Sequence, residues 1–365
     1  MRNSYLEVNL NNFSENLKII RDMIGPDVSM APVIKADGYG IGAKQLMSSL
    51  TKNDIDKVVV ATTDEAKELR ENGFTMEIIT LNELMEDEAE DIVRLDLTPA
   101  VSNIEVVKSI NENAKKADKI IKVHIEVDTG MGRVGLKPNQ MVEFANEISK
   151  LSNIKIEGLF THFSSADSSE EYTNNQVKIF NKVYDELKLA GYSFKYVHAS
   201  ASSGILFFKN ARFTMTRPGI IMYGYMPDKT INNKWGFKPT TKLVSHIAFV
   251  KDVKDGTPIG YSRTYTTNGD KVVATIPMGY ADGIRRALSN KGRVYVNGKY
   301  APIIGNVCMD NFMIDVTGID VKVGDEVFIW DNDNIYLEEV ADNCNTINYE
   351  IMCGISKRVM RKYIG

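Results

Sequence analysis

Cysteine is scarce in this chain of 365 residues. Cys308, Cys344 and Cys353 are the only three, an odd number without CxxC spacing, which argues against a disulfide framework or a thiolate zinc site. The four histidines include no pair at helical spacing and so no metal constellation. No stretch approaches the roughly 18 apolar residues of a membrane span, and Met1–Arg2–Asn3–Ser4–Tyr5 has no apolar signal core. Basic runs are missing, and a formal charge of −4 leaves no electrostatic footprint for a nucleic acid. No internal repeat or low-complexity segment is evident. What remains is an ordinary globular composition, 43% hydrophobic and 25% charged, in a chain long enough for two domains. The expectation is a soluble, cytoplasmic protein with no nucleic-acid or membrane partner.

Short β-rich runs alternate with longer amphipathic stretches through the first two-thirds of the chain. The runs are Met30–Lys35, Lys57–Thr62, Glu77–Leu81, Leu97–Val101, Ile121–Val127, Ile156–His162, Tyr196–Ala199 and Thr214–Ile221. Between them lie Gly42–Leu50, Asp64–Glu71, Asn103–Ala114, Asn139–Lys150 and Tyr172–Ala190. In the last of these Val177, Phe180, Tyr184 and Leu187 fall on one helical face. Eight such units predict an α/β fold with a TIM-like (β/α)8 barrel over residues 12–236. The character then changes. Leu243–Val250, Tyr261–Thr266, Lys271–Pro277, Arg293–Val296, Phe312–Val316 and Glu326–Trp330 read as strands with one helix, Leu337–Asn343, among them. Asn297–Gly298 is a hairpin signal. Residues 237–365 are therefore expected to form a mainly antiparallel β domain, which a strand within residues 1–11 joins.

Residues able to do chemistry gather at the predicted strand ends, where barrel enzymes place their sites. Lys35 leaves the apolar run Met30–Ala31–Pro32–Val33–Ile34 for a Gly-rich turn. Held near an apolar interior, a lysine ammonium is costly, which is the setting a Schiff-base lysine uses. Asp128–Thr129–Gly130–Met131–Gly132–Arg133–Val134–Gly135 follows the fifth run, and its glycines let the backbone come close while Arg133 points inward. His162 ends the sixth run, His198 lies at the end of the seventh with Ser202 just beyond it, and Arg217, Gly219 and Ile220 lie on the eighth. Singly, each has an ordinary structural reading as an ion pair, a core imidazole or a helix cap. Their joint position at strand ends is not explained that way.

The segment Val33–Ile34–Lys35–Ala36–Asp37–Gly38–Tyr39–Gly40–Ile41–Gly42 resembles the pyridoxal-phosphate lysine motif of alanine racemases, with Ile41 where a histidine is customary. The likeness extends along the chain to Pro258–Ile259–Gly260–Tyr261–Ser262, Met278–Gly279–Tyr280–Ala281–Asp282–Gly283 and Gly305–Asn306–Val307–Cys308–Met309–Asp310. It implies that pyridoxal 5'-phosphate is carried on Lys35. Arg217 would meet the pyridine nitrogen with His198 behind it, and Arg133 the phenolic oxygen, close to the substrate carboxylate. Tyr39, Ser202, Tyr349 and the amides of Gly219 and Ile220 would hold the phosphate. Arginine stays charged and cannot accept the ring's proton, so proton exchange at Cα is favoured over transamination.

The same resemblance makes Lys35 and Tyr261 the two bases, acting on D- and L-alanine respectively, with His162 behind Tyr261. Tyr280 and Met309 would meet the substrate, flanked by Cys308 and Asp310. Tyr261 and Met309 would come from the other subunit of a homodimer. Glu126 stands where many members carry a carbamylated lysine, and is expected to orient Arg133 through charge-assisted hydrogen bonds.

The implied activity is interconversion of L- and D-alanine, supplying D-alanine for peptidoglycan. Tyr349 narrows the side-chain pocket toward alanine. The alternative is a serine or serine/alanine racemase domain of a vancomycin-resistance protein. A fold-type III decarboxylase is opposed by Arg217 and Tyr261, and a barrel-only cofactor-binding protein by the β domain.

Overall fold

A computed structural model describes residues 4–365, which fall into two compact units. One comprises residues 14–38 and 43–237; the other comprises residues 4–13, 39–42 and 238–365.

The first unit is built on six parallel strands, each beside its neighbour in sequence: Lys57–Val60, Glu77–Thr80, Leu97–Val101, Ile121–Glu126, Ile154–Phe160 and Tyr196–His198. Ser29–Met30 and Met215–Thr216 form a further parallel pair. Backbone bonds close the ring on both sides. Ile34 N donates to Val59 O at 2.9 Å, and Thr214 N to Val197 O at 3.1 Å. The eight-stranded barrel expected from the alternating runs is thus present. Its strands are buried on both faces, as a helix-covered parallel sheet requires, so they read as near-continuous apolar runs. The helices start where capping chemistry is available. Thr62 caps Thr63–Glu71, Asn103 caps Ile104–Lys116, and Ser169 caps Glu170–Leu189. On the last of these Val177, Phe180, Val183 and Leu187 are buried.

The second unit holds a nine-stranded sheet. Its spatial order is Phe249–Val253, Lys271–Ile276, Phe312–Asp315, Lys299–Ile304, Arg293–Val296, Glu326–Trp330, Thr241–His246, Tyr5–Asn9 and Met360–Ile364. All neighbours are antiparallel except the final pair. Asn297 and Gly298 take φ of +45° and +81° in the turn between two of these strands, the left-handed pair a tight hairpin demands. The expected strand Tyr261–Thr266 is instead a short hairpin, Pro258–Ile259 with Tyr265–Thr266, and Tyr261 lies in the connecting turn. A second helix, Asn348–Cys353, follows Leu337–Asn343 and carries Tyr349. Among the described residues no helix is long and apolar enough to cross a membrane, and no group of side chains could hold a metal ion.

Candidate active site

Lys35 is reached through a backbone that changes hand. Regular ladder structure is short, Ser29–Met30 with an isolated bridge at Val33, but backbone bonds from Ala31, Val33 and Ile34 carry the strand track to Ile34, so the predicted strand overshoots only at Lys35. Ile34 is buried, whereas Lys35 is exposed and not held against the apolar interior as its sequence setting suggested. Ala36, Asp37 and Gly38 then take φ/ψ of 52/48°, 51/50° and 64/44°, a full left-handed turn, and φ stays positive through Tyr39 and Gly40. Only glycine does this without a steric penalty. Three bonds hold the turn: Gly38 N to Ile34 O at 2.8 Å, Ala43 N to Asp37 Oδ1 at 2.8 Å, and Ala36 N to Glu65 Oε1 at 2.6 Å.

Arg217 is the bulkiest fully buried charged side chain among the described residues, only 1% exposed. One terminal nitrogen donates to His198 Nδ1. The other donates to Thr161 O at 3.0 Å, His162 Nδ1 at 3.1 Å and Ala199 O at 3.2 Å. Burial pulls the guanidinium down to about 10, which still leaves it charged at neutral pH. A cation can only donate, so both facing imidazole nitrogens must be bare acceptors. His198 therefore carries its proton on Nε2, which lies 2.9 Å from Nδ1 of the buried His124. Burial and the Arg217 charge push His162 and His124 down to about 3, although the His162 ring keeps an accessible edge, and they push His198 well below its usual range. All three stay neutral. The Phe160 ring stacks on His198 at 4.7 Å, and the guanidinium lies 5.4 Å from that ring. Sequence reasoning missed His124. Its alternation with Glu126 on one strand was the available signal.

Two donors near this network have no acceptor among the described residues: Arg217 Nε and the amide of Ile220. Beside the second, Gly219 N reaches Ser202 Oγ at 3.1 Å, and that hydroxyl is buried. A donor for a ring nitrogen, a small nest of N–H and O–H groups for a phosphate and an exposed amine at Lys35 fit pyridoxal phosphate.

Arg133 lies exposed on the loop after Ile121–Glu126. Asp128 Oδ1 gathers the amides of Gly130 and Gly132 at 2.9 and 3.0 Å, and the loop closes where Leu136 N meets Glu126 O. Gly135 is required at that closure, because a Cβ there would lie 2.9 Å from Asp128 N. Among the described residues no hydrogen bond or ion pair joins Glu126 to Arg133, so the expected direct link is absent. Burial raises the Glu126 carboxyl to about 7 against the pull of Arg217 and Arg133. Its proton is thus held more tightly folded than unfolded, and a stability penalty develops as pH rises from 4.5 through 7. Glu126→Gln is expected to raise the melting temperature of the cofactor-free protein at pH 8 while lowering activity. The gain, worth up to about 3 kcal/mol, should vanish near pH 4.5, and a pH-independent difference in melting would contradict it.

The remaining expected residues lie in the second unit. Tyr39 and Tyr349 rings sit 5.9 Å apart, and burial pushes the Tyr39 phenol upward, keeping it a hydrogen-bond donor. Gly40 passes so close to the helix bearing Tyr349 that a Cβ would meet Met352 O at 2.5 Å. Tyr261 is 72% exposed at its hairpin tip, with its carbonyl held by Asn306 Nδ2 at 2.8 Å. The Tyr280 and Met309 segments brace each other: Tyr280 N donates to Cys308 O and Ala281 N to Met309 O, both at 3.0 Å. Arg358 ties them at Asp310, 2.7 Å, and Asp282, 3.3 Å. Cys308 donates its thiol to Asn306 O, and burial pushes that thiol up, away from thiolate chemistry.

Residues 8–227 match the family model described as alanine racemase, N-terminal domain, and residues 240–363 match its C-terminal domain. The chain belongs to the alanine racemase family. It is 42% identical to the alanine racemase of Halothermothrix orenii, over 99% of this chain and 97% of that protein. The alanine racemase structure from Clostridium difficile 630 superposes with a TM-score of 0.96 at 38% identity, covering 100% of this chain and 96% of that one. The alanine racemase of Bartonella henselae, solved with covalently bound pyridoxal phosphate, superposes at 0.90 with 28% identity and 99% coverage of both chains. The alanine racemase likeness covers both units of the chain and does not favour the serine racemase, decarboxylase or barrel-only readings.

Proposed function

We propose that this chain interconverts L- and D-alanine with pyridoxal 5'-phosphate held on Lys35, and that Tyr261 of the partner subunit faces Lys35 across the substrate in a homodimer. The observation that carries the reading is the Arg217 network. A fully buried cation, fixed by four acceptors, keeps its Nε–H unspent at the barrel interior.

When bound, the cofactor's conjugated ring disperses the negative charge that develops as Cα loses its proton. The chain's own residues decide what happens to that proton. Arg217 can donate to a ring nitrogen but cannot give up or receive a proton there, so charge is less easily drawn away from Cα. Neutral His162 and His198 hold the guanidinium in place without adding a second cation. Lys35 and Tyr261 are the proton carriers, one for each face of Cα, and a base on each side is what inversion demands. Arg133, exposed on its braced loop, is available to a carboxylate as a two-pronged donor.

Alanine over serine is the expected preference. A pocket that offers no partner to the extra hydroxyl rejects it only modestly, about 10–200-fold. Measuring kcat/KM for L-alanine and L-serine tests this. Equal values, or a preference for serine, would overturn the substrate assignment while leaving the reaction type in place.

A further inference from the structure

The left-handed turn after Lys35 is costly, and one side chain outside the expected site holds it. Glu65 belongs to the capping box of Thr63–Glu71: its amide meets Thr62 Oγ1 at 3.2 Å, and its Oε2 accepts from Thr62 N at 3.3 Å and from Ala61 N at 2.8 Å. A cap needs nothing more. Yet Oε1 reaches across to the neighbouring loop and accepts Ala36 N–H at 2.6 Å, the shortest of these bonds. One carboxylate thus spans the ends of two adjacent barrel strands and fixes the first residue of the turn, directly beside Lys35.

We propose that Glu65 is a positioning residue, which through the Ala36 amide sets the left-handed backbone that presents the Lys35 amine. The inference rests on Lys35 being the cofactor-bearing lysine. Charge matters here. A glutamine at position 65 keeps one oxygen for the cap, but its NH2 then opposes Ala36 N–H, donor against donor. Glu65→Gln therefore removes the clamp and spares the helix start.

The test uses full-length protein with pyridoxal 5'-phosphate. Glu65→Gln is expected to lower kcat and to weaken cofactor binding by the apoprotein about tenfold each, the loss of one charge-assisted bond. KM for L-alanine should stay within about twofold, because no substrate contact is removed. Amide exchange across residues 35–42 should quicken. Thr62→Ala weakens only the cap and should leave all of these readouts near wild type. Adding Ala36→Gly to Glu65→Gln should recover a substantial part of the lost kcat, since glycine adopts positive φ freely. Wild-type kcat and cofactor affinity in Glu65→Gln, equal losses in Thr62→Ala, or no recovery with Ala36→Gly would each overturn the proposal. Lys35→Ala separates the two levels. If that variant still binds the cofactor covalently, the underlying assignment of Lys35 fails. If it does not, and Glu65→Gln behaves as wild type, only the role of Glu65 is wrong.

Discussion

Replacing Lys35 by alanine is expected to abolish covalent attachment of pyridoxal phosphate and to cut alanine racemisation by a thousandfold or more, about what losing both an anchoring nucleophile and a positioned base removes. The fold should be indifferent. The side chain is exposed and makes no ion pair or hydrogen bond among the described residues, and surface substitutions of this kind usually fall within about 0.5 kcal/mol. The experiment compares absorbance near 420 nm after gel filtration, melting temperature, and racemisation of either enantiomer. A variant that stays yellow, or keeps a tenth of the activity, would refute the assignment. A variant that unfolds would contradict the exposed position described above.

Tyr261→Phe carries the second large effect and a directional one. Its ring is mostly exposed in this chain and its hydroxyl has no partner among the described residues, so loss of one oxygen should not alter melting. Racemisation should nevertheless fall by roughly 10²–10⁴-fold, the usual worth of a positioned acid or base. Lys35 remains competent on its own face. In deuterium oxide the variant should therefore exchange the Cα hydrogen of D-alanine without inverting it, while L-alanine stays unlabelled. Exchange of both enantiomers at similar rates would remove Tyr261 from the mechanism.

Much of this was legible before any coordinates because it rests on local chemistry. Asn297–Gly298 announced its hairpin because few residue pairs accept two positive φ values in succession. The barrel helices declared themselves through apolar spacing, as at Val177, Phe180 and Leu187, whereas caps such as Thr62 and Ser169 emerged only in the structure. The arginines and histidines of the candidate site stood out by their place at strand ends. Other features depend on distant partners and were not visible. Lys35–Tyr39 contains two ordinary L-residues, Ala36 and Asp37, in a left-handed turn, and nothing local predicts that; Glu65 and Ala43 impose it from elsewhere in the chain. Tyr261 sits in a β-prone run yet lies in a turn, where Ser262 and Arg263 adopt φ of 60° and 49°. The helix Leu10–Ile24 does carry a local signal, the buried Phe13, Leu17, Ile20 and Ile24 at spacings of four and three.

The parallel pairing of Tyr5–Asn9 with Met360–Ile364 has a consequence for biogenesis. Tyr5–Asn9 must wait until Met360–Ile364 has been made before its outer edge is covered. During synthesis that early strand is exposed to mispairing, while the barrel's sequential neighbours can already zip together. Folding of the nascent chain is thus ordered in time, with the nine-stranded sheet of the unit that bears Tyr261 completed only when its parallel edge pair forms.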